Sequence, residues 1–198
     1  MSQFIQLVEE ISRCTLCAEH LPLGPRPVIQ AHPAARILVV GQAPGTAVHK
    51  TGIPFNDPSG DRLRSWMGVD RQSFYNPKHI ALVPMGFCYP GKGKGGDLPP
   101  RMECAPAWRD RLLGQLDNIE LTIVMGRYAL DWHLNIPSSQ PLSAVVANWQ
   151  QYWPHTVPLP HPSPRNTHWL KKHPWVEDNI IPELQQHIRS LLNKGSAT

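Results

Sequence analysis

Thiolates gathered at short spacing bind metal, and this chain carries four cysteines arranged in that way. Cys14 and Cys17 form a C-x2-C pair near the N-terminus, and Cys88 and Cys104 lie far downstream with fifteen residues between them. A set of four with none left over suits one tetrahedral centre, which holds either zinc or an iron–sulfur cluster. Such a centre would pin an N-terminal arm to a mid-chain loop. Plain burial is the alternative, because a free cysteine also packs as a small apolar side chain.

The remaining residues with chemistry to offer cluster in loops rich in glycine and proline. They are Gly41-Gln42-Ala43-Pro44-Gly45, then Gly52 to Gly60 with Phe55 and Asp57, Gly86 to Gly96 with Cys88, and His161-Pro162-Ser163-Pro164-Arg165-Asn166. Three of these loops follow short β-branched or apolar runs: Arg36 to Gly41, His79 to Met85 and Thr156 to Pro160. A fourth run, Leu121 to Gly126, lies between them. Each reads as a strand, with Pro84 confined to a strand end or edge. Helical periodicity fills the intervals at Ser2 to Arg13, Asp61 to Met67, Ala105 to Leu116, Arg127 to His133 and Val176 to Leu192.

Strands alternating with helices predict an α/β fold, with a central, mostly parallel four-stranded sheet and helices on both faces. No linker, repeat or charge block divides residues 1–198, so one domain is expected. Ligands of open parallel sheets bind at the carboxyl ends of the strands, where three of the unusual loops should converge.

Composition narrows the function classes. No stretch reaches the length of a membrane span, and Met1-Ser2-Gln3-Phe4 lacks the basic and apolar regions of a signal peptide, so a cytoplasmic, reducing setting and no membrane partner are expected. There, paired cysteines favour metal over disulfides. A formal net charge of +4 permits a polyanionic partner without requiring one. The 22 prolines point to long ordered loops of the kind that carry function on a rigid scaffold.

The Gly41–Gly45 turn, the following Gly52-Ile53-Pro54-Phe55, the late His161–Asn166 motif and the cysteine layout, in that setting, resemble the uracil-DNA glycosylase superfamily. The cysteines are similar to its iron–sulfur branch, family 4, and the late motif is closer to the single-strand-selective branch. The resemblance implies a 4Fe–4S cluster on Cys14, Cys17, Cys88 and Cys104 with a structural role; ligand type alone leaves zinc open. It implies DNA containing a damaged or deaminated base as partner, a monomer, and hydrolysis of the bond between that base and its sugar. Phe55 would be the platform for the flipped base, with Gly41, Ala43, Pro44 and Met85 completing the pocket. His161 would donate to the base's carbonyl oxygen. Ser163, Arg165 and Asn166 would fill the gap in the helix or hold its backbone, with Lys92, Lys94 and Arg101 tracking phosphates and Lys171, Lys172 and His173 extending the basic face. Of the tryptophans, Trp66, Trp108, Trp132, Trp149 and Trp153 are expected in the core, with Trp169 as the exception.

Two positions depart from the family pattern. Gln42 stands where family 4 carries glutamate, and an amide orients water but cannot take its proton. Replacement bases within reach in the sequence are Asp57, the preferred one, then Asp61 and His49; Asp57 beside Pro58 and Ser59 also reads as a helix cap. Pro84 stands where the iron–sulfur branch reads uracil with asparagine, four residues before Cys88, and proline offers neither a side-chain hydrogen bond nor a backbone N–H. Hypoxanthine, xanthine or an oxidised pyrimidine are therefore alternative substrates. A catalytically silent protein that holds lesions or abasic sites is the second reading. A histidine that traps the sugar covalently ranks last, because the basic loop insertion of that branch is missing.

Overall fold

The computed structural model describes residues 2–137 and 139–194. Four parallel strands, β1 (Ile37–Val40), β2 (Ile80–Leu82), β5 (Leu121–Met125) and β6 (Thr156–Leu159), form the central sheet in the order β2-β1-β5-β6. β1 pairs with β2 from Ile37 opposite Ile80 and with β5 from Ile37 opposite Leu121. A two-stranded antiparallel hairpin, β3 (Lys92–Gly93) and β4 (Gly96–Asp97), stands apart from it.

Alternation along the strands divides the core into two layers. Ile37 and Val39 of β1 face one side with Leu63, Trp66, Met67, Phe74 and Leu184, while Leu38 and Val40 face the other with Leu7, Ile11, Phe87 and Leu112. The first side is covered by α3 (Pro58–Met67), α4 (Arg71–Phe74) and α9 (Ile181–Lys194), and the second by α1 (Gln3–Ser12), α5 (Cys104–Leu113) and α6 (Arg127–Leu134). The expected α/β architecture is the one observed, with all four central strands parallel.

Local sequence explains the helix boundaries. Ser2 caps α1, accepting a hydrogen bond from the Ile5 N–H, and Leu7 and Ile11 form its buried stripe. Asp57 caps α3, Pro58 occupies its first turn, and Gly68 at φ 64° ends it. The expected C-terminal helix begins as a π-helical turn at Val176–Ile180 and becomes α-helical from Ile181. Four further short helices, α2 (Thr46–Thr51), α4, α7 (Leu142–Ala147) and α8 (Thr167–Lys172), interrupt segments that the sequence marks as loops.

β2 is shorter than its sequence run and ends before Pro84, and its outer edge is bridged by Gln30, whose main chain exchanges hydrogen bonds with Leu82. On the opposite edge, β6 contains Pro158. Trp66 and Trp149 are buried as expected and Trp153 packs against the same layer, but Trp132 is 40% exposed and Trp108 is only partly buried. No helix among the described residues is long and apolar enough to cross a membrane.

Candidate active site and cysteine cluster

The loops leaving β1, β2 and β6 meet the β3–β4 hairpin at the carboxyl edge of the sheet and enclose a cleft of about 410 Å³. Gly41, Gln42, Ala43, Pro44, Phe55, Asp57, His161, Ser163, Arg165 and Asn166 all line it, together with Pro84 and Asp97. A larger, open groove of about 710 Å³ beside α1 contains none of these residues.

Phe55 is held from several directions. Its backbone adopts φ 53°, a left-handed conformation that is strained for an aromatic residue. Arg64, itself buried, donates to the Phe55 carbonyl at 3.3 Å, and the Tyr75 hydroxyl donates to the Pro54 carbonyl at 2.9 Å. The Phe55 ring packs edge-on against Phe74 at 6.2 Å. Gly60 lets the turn close: a Cβ at that position would lie 1.7 Å from the Phe55 carbonyl oxygen. Gly41 sits beneath the ring, where a Cβ would lie 3.4 Å from Phe55 Cζ.

His161 is fixed in one tautomer. The Ser163 N–H donates to Nδ1 at 3.2 Å, so the ring proton belongs on Nε2. Burial pushes its pKa below the ordinary histidine value, while the carboxylates of Asp57 and Asp97 act in the opposite direction. The surrounding loop is pinned twice: Asn166 donates to the His161 carbonyl at 2.7 Å, and Arg62 of α3 donates to the Ser163 carbonyl at 3.0 Å and the Thr167 hydroxyl at 2.9 Å.

Asp57 faces the cleft and caps α3 at once, Oδ1 accepting from the Gly60 N–H at 2.8 Å. Gln42 donates its amide to the Leu98 carbonyl at 2.8 Å, and Arg165 donates to the Gly95 carbonyl at 3.0 Å, so two cleft loops hold the hairpin.

Several residues singled out in the sequence lie elsewhere. Met85 is 5% exposed and packs in the layer of Val40, Val83 and Phe87 instead of lining the cleft. Asp61 pairs with Arg64 at 2.5 Å on the outer side of α3, and His49 packs against Tyr89 at 6.1 Å; neither lines the cleft. Arg101 is engaged by Glu103 at 2.5 Å. Trp169, half-buried at the edge of the core, stacks on His173 at 4.0 Å.

Asp97, Arg62 and Arg64 are contributions that sequence reasoning missed. The Gly95-Gly96 pair before Asp97 was a legible hairpin-turn signal. The two arginines carried none, since the carbonyls they hold in the site, Ser163 for Arg62 and Phe55 for Arg64, belong to loops that only the fold brings beside α3.

The four cysteines are free thiols that line one small cavity with Leu16, Pro27, Phe87 and Trp108. Two of the sulfurs accept hydrogen bonds: Phe87 N donates to Cys104 Sγ at 3.3 Å and Trp108 Nε1 to Cys14 Sγ at 3.2 Å. Trp108, expected as plain core, is thus part of this cluster. Burial pushes the Cys88 thiol up to about 11 and the Cys104 thiol to about 12, with neighbouring sulfurs adding to both shifts. Among the described residues, no three His, Cys, Asp or Glu side chains are grouped to hold a single metal ion.

Set against known families, the chain matches the profile of the uracil DNA glycosylase superfamily over residues 29–185. The matched span includes the four central strands, Phe55, His161, Cys88 and Cys104, and leaves Cys14 and Cys17 outside.

Proposed function

This chain belongs to the uracil DNA glycosylase superfamily, and we propose that it hydrolyses the N-glycosidic bond of a damaged or deaminated base flipped out of DNA, as a monofunctional enzyme of base-excision repair. The observation that carries this reading is the meeting, in one cleft, of a constrained aromatic platform at Phe55 and a histidine whose Nε2 keeps its proton.

A base inside a duplex is out of reach, so the reaction begins with extrusion of the nucleotide, at a cost of a few kcal/mol. Phe55 stacks the flipped base, and its strained, multiply held backbone keeps that platform in register. As the bond from C1′ to the base nitrogen breaks, its electron pair moves into the base and the sugar becomes oxocarbenium-like. His161 Nε2–H donates to the base carbonyl where negative charge accumulates, and a neutral, partly buried imidazole does so without giving up its proton. Water then attacks C1′, and Asp57 receives the water proton through Oδ2, the oxygen not spent on the α3 cap. Gln42 orients groups in the cleft through its amide oxygen, its nitrogen being committed to Leu98. Arg165 and Asn166 provide the side chains that support the gapped strand, and Lys92 and Lys94 provide backbone charge.

The four cysteines would hold a 4Fe–4S cluster. Four sulfurs around one cavity, with N–H donors on Cys14 and Cys104, support a thiolate-bound centre of this kind. When bound, the cluster supplies a cross-link between the N-terminal arm and the loops around β2; its role here is structural. A brown preparation containing iron and sulfide supports this assignment, and stoichiometric zinc without iron overturns it.

A second reading, a silent lesion-binding protein, draws on Gln42 and on Pro84, which lines the cleft without a donor to read uracil. Single- and double-stranded oligonucleotides bearing uracil, hypoxanthine or xanthine separate the two. Release of free base and an alkali-labile site support the glycosylase. Tight retention with no release on any substrate overturns it in favour of binding.

A further inference from the structure

Asp97 ends β4, opposite Lys92 of β3, and its exposed side chain lines the cleft. Its place is set from two sides. Gln42 of the loop after β1 holds the carbonyl of Leu98, the next residue, at 2.8 Å, and Arg165 of the late loop holds that of Gly95, two residues before, at 3.0 Å. Gly96 admits the arginine, because a Cβ there would overlap Arg165 Nη1. Asp97 Oδ2 lies against the turn after β1, where a Cβ on Gly45 would be 3.4 Å from it. The other acid of the cleft, Asp57, spends one oxygen on the α3 cap, and Gln42 is tied through its nitrogen. Among the described residues, no hydrogen bond or ion pair engages either oxygen of Asp97, not even one from Lys92 across the hairpin.

A carboxylate accepts hydrogen bonds and donates none, so an unengaged one in a base pocket requires an N–H on the base. His161, through Nε2–H, requires a carbonyl. Deamination creates the ring N–H that Asp97 lacks in the amino bases. N3 of cytosine and N1 of adenine are bare acceptors that repel a carboxylate, whereas N3 of uracil and N1 of hypoxanthine carry a proton beside a carbonyl. We propose that Asp97 is a specificity-determining residue that accepts a hydrogen bond from this ring N–H and so separates a deaminated base from its amino parent. Thymine and guanine carry the same edge, and Asp97 does not distinguish them from damaged bases. The assignment rests on the reading of the cleft as a flipped-base pocket, and it gives the hairpin a task for which Pro84 has no group.

The test uses the full chain and single-stranded oligonucleotides identical but for one nucleotide, which carries uracil or cytosine in one pair and hypoxanthine or adenine in the other. A 2′-fluoroarabino sugar at that nucleotide disfavours the oxocarbenium-like state, so fluorescence anisotropy reads affinity without hydrolysis. In at least one pair the parent should favour the deaminated base about ten- to a hundredfold, the worth of a hydrogen bond to a charged group. Asp97→Asn, whose amide can accept from one base or donate to the other, and Asp97→Leu, which can do neither, should bring that ratio close to one. Asp97→Glu keeps the carboxylate and should keep part of the preference, which a merely structural role would not require. The ratio is the readout, since removing a negative charge strengthens binding to either strand. A parent without the preference, or a parental ratio in both Asp97→Asn and Asp97→Leu, overturns the role given to Asp97. Base release from the ordinary sugars is scored separately: a parent that shows the Asp97-dependent preference but releases no base overturns the glycosylase reading and leaves the role of Asp97 standing.

Discussion

Asp57 carries two roles that one pair of substitutions separates. Its Oδ1 bond to the Gly60 N–H caps α3, and its second oxygen is assigned the water proton. Asparagine caps a helix about as well as aspartate, whereas alanine removes the cap at a cost of about 1 kcal/mol. In a chain of 198 residues that loss lowers the melting temperature by about 2–4 °C. Asparagine cannot accept the proton, so Asp57→Asn should melt like the parent while losing about 10²- to 10⁴-fold in single-turnover rate, the span of a general base. Asp57→Ala should lose both. Differential scanning fluorimetry and base release from the best lesion-bearing oligonucleotide measure the two effects independently. Full activity in Asp57→Asn would remove the residue from the chemistry, and an equal drop in melting temperature for both variants would refute the capping argument.

Three other outcomes follow from the geometry. Gly60→Ala should lower stability by about 1–3 kcal/mol and depress activity with it, because the new Cβ meets the Phe55 carbonyl at 1.7 Å and must displace the platform; denaturant melts and base release report both. Arg62→Ala, which frees the Ser163 and Thr167 end of the late loop, should reduce turnover up to about a hundredfold with little change in DNA affinity, read by kinetics beside fluorescence anisotropy. Burial, reinforced by Arg109, holds His133 down at about 4, below the ordinary value of 6.5. The unfolded chain therefore takes up this proton before the native one, so its contribution to stability is intact above pH 6.5 and declines toward pH 4. Urea unfolding at pH 7 and pH 5 should differ by about 1–2 kcal/mol from this group, and His133→Gln should flatten that part of the profile.

The sheet was legible because runs such as Ile37-Leu38-Val39-Val40 are apolar on both faces, as parallel strands covered on both sides must be. Their order came from the structure, since periodicity carries no information on which strand neighbours which. Loops of unusual composition drew attention to the region of the cleft, and Phe55, Asp57 and His161 all line it. Helices of four to six residues such as α2, α4 and α8 escaped notice because they are too short to display a repeating apolar face. Asp61 and Asp57 are both acids of the same loop region in sequence, yet Asp57 is the extended N-cap residue that lines the cleft, while Asp61 lies within α3 and pairs with Arg64 at the surface. Met85 was misjudged because proximity to a strand end does not reveal which way the next side chain turns. Nothing in the sequence marks Arg109 within its helical run, and only the three-dimensional packing shows it sealed inside.

The two outer strands of the sheet have a consequence for life in a crowded solution. An open strand edge is a template for joining another chain. Along β2 the free hydrogen-bonding groups of Leu82 are consumed by Gln30, whose side-chain amide also reaches the carbonyls of Phe74 and Ile80. Along β6 the Thr156 N–H is spent on Tyr152, and Pro158, two residues on, has no N–H to offer. Neither border can recruit a stray strand while the fold is intact, so self-association into fibres would require β2 or β6 to come loose first.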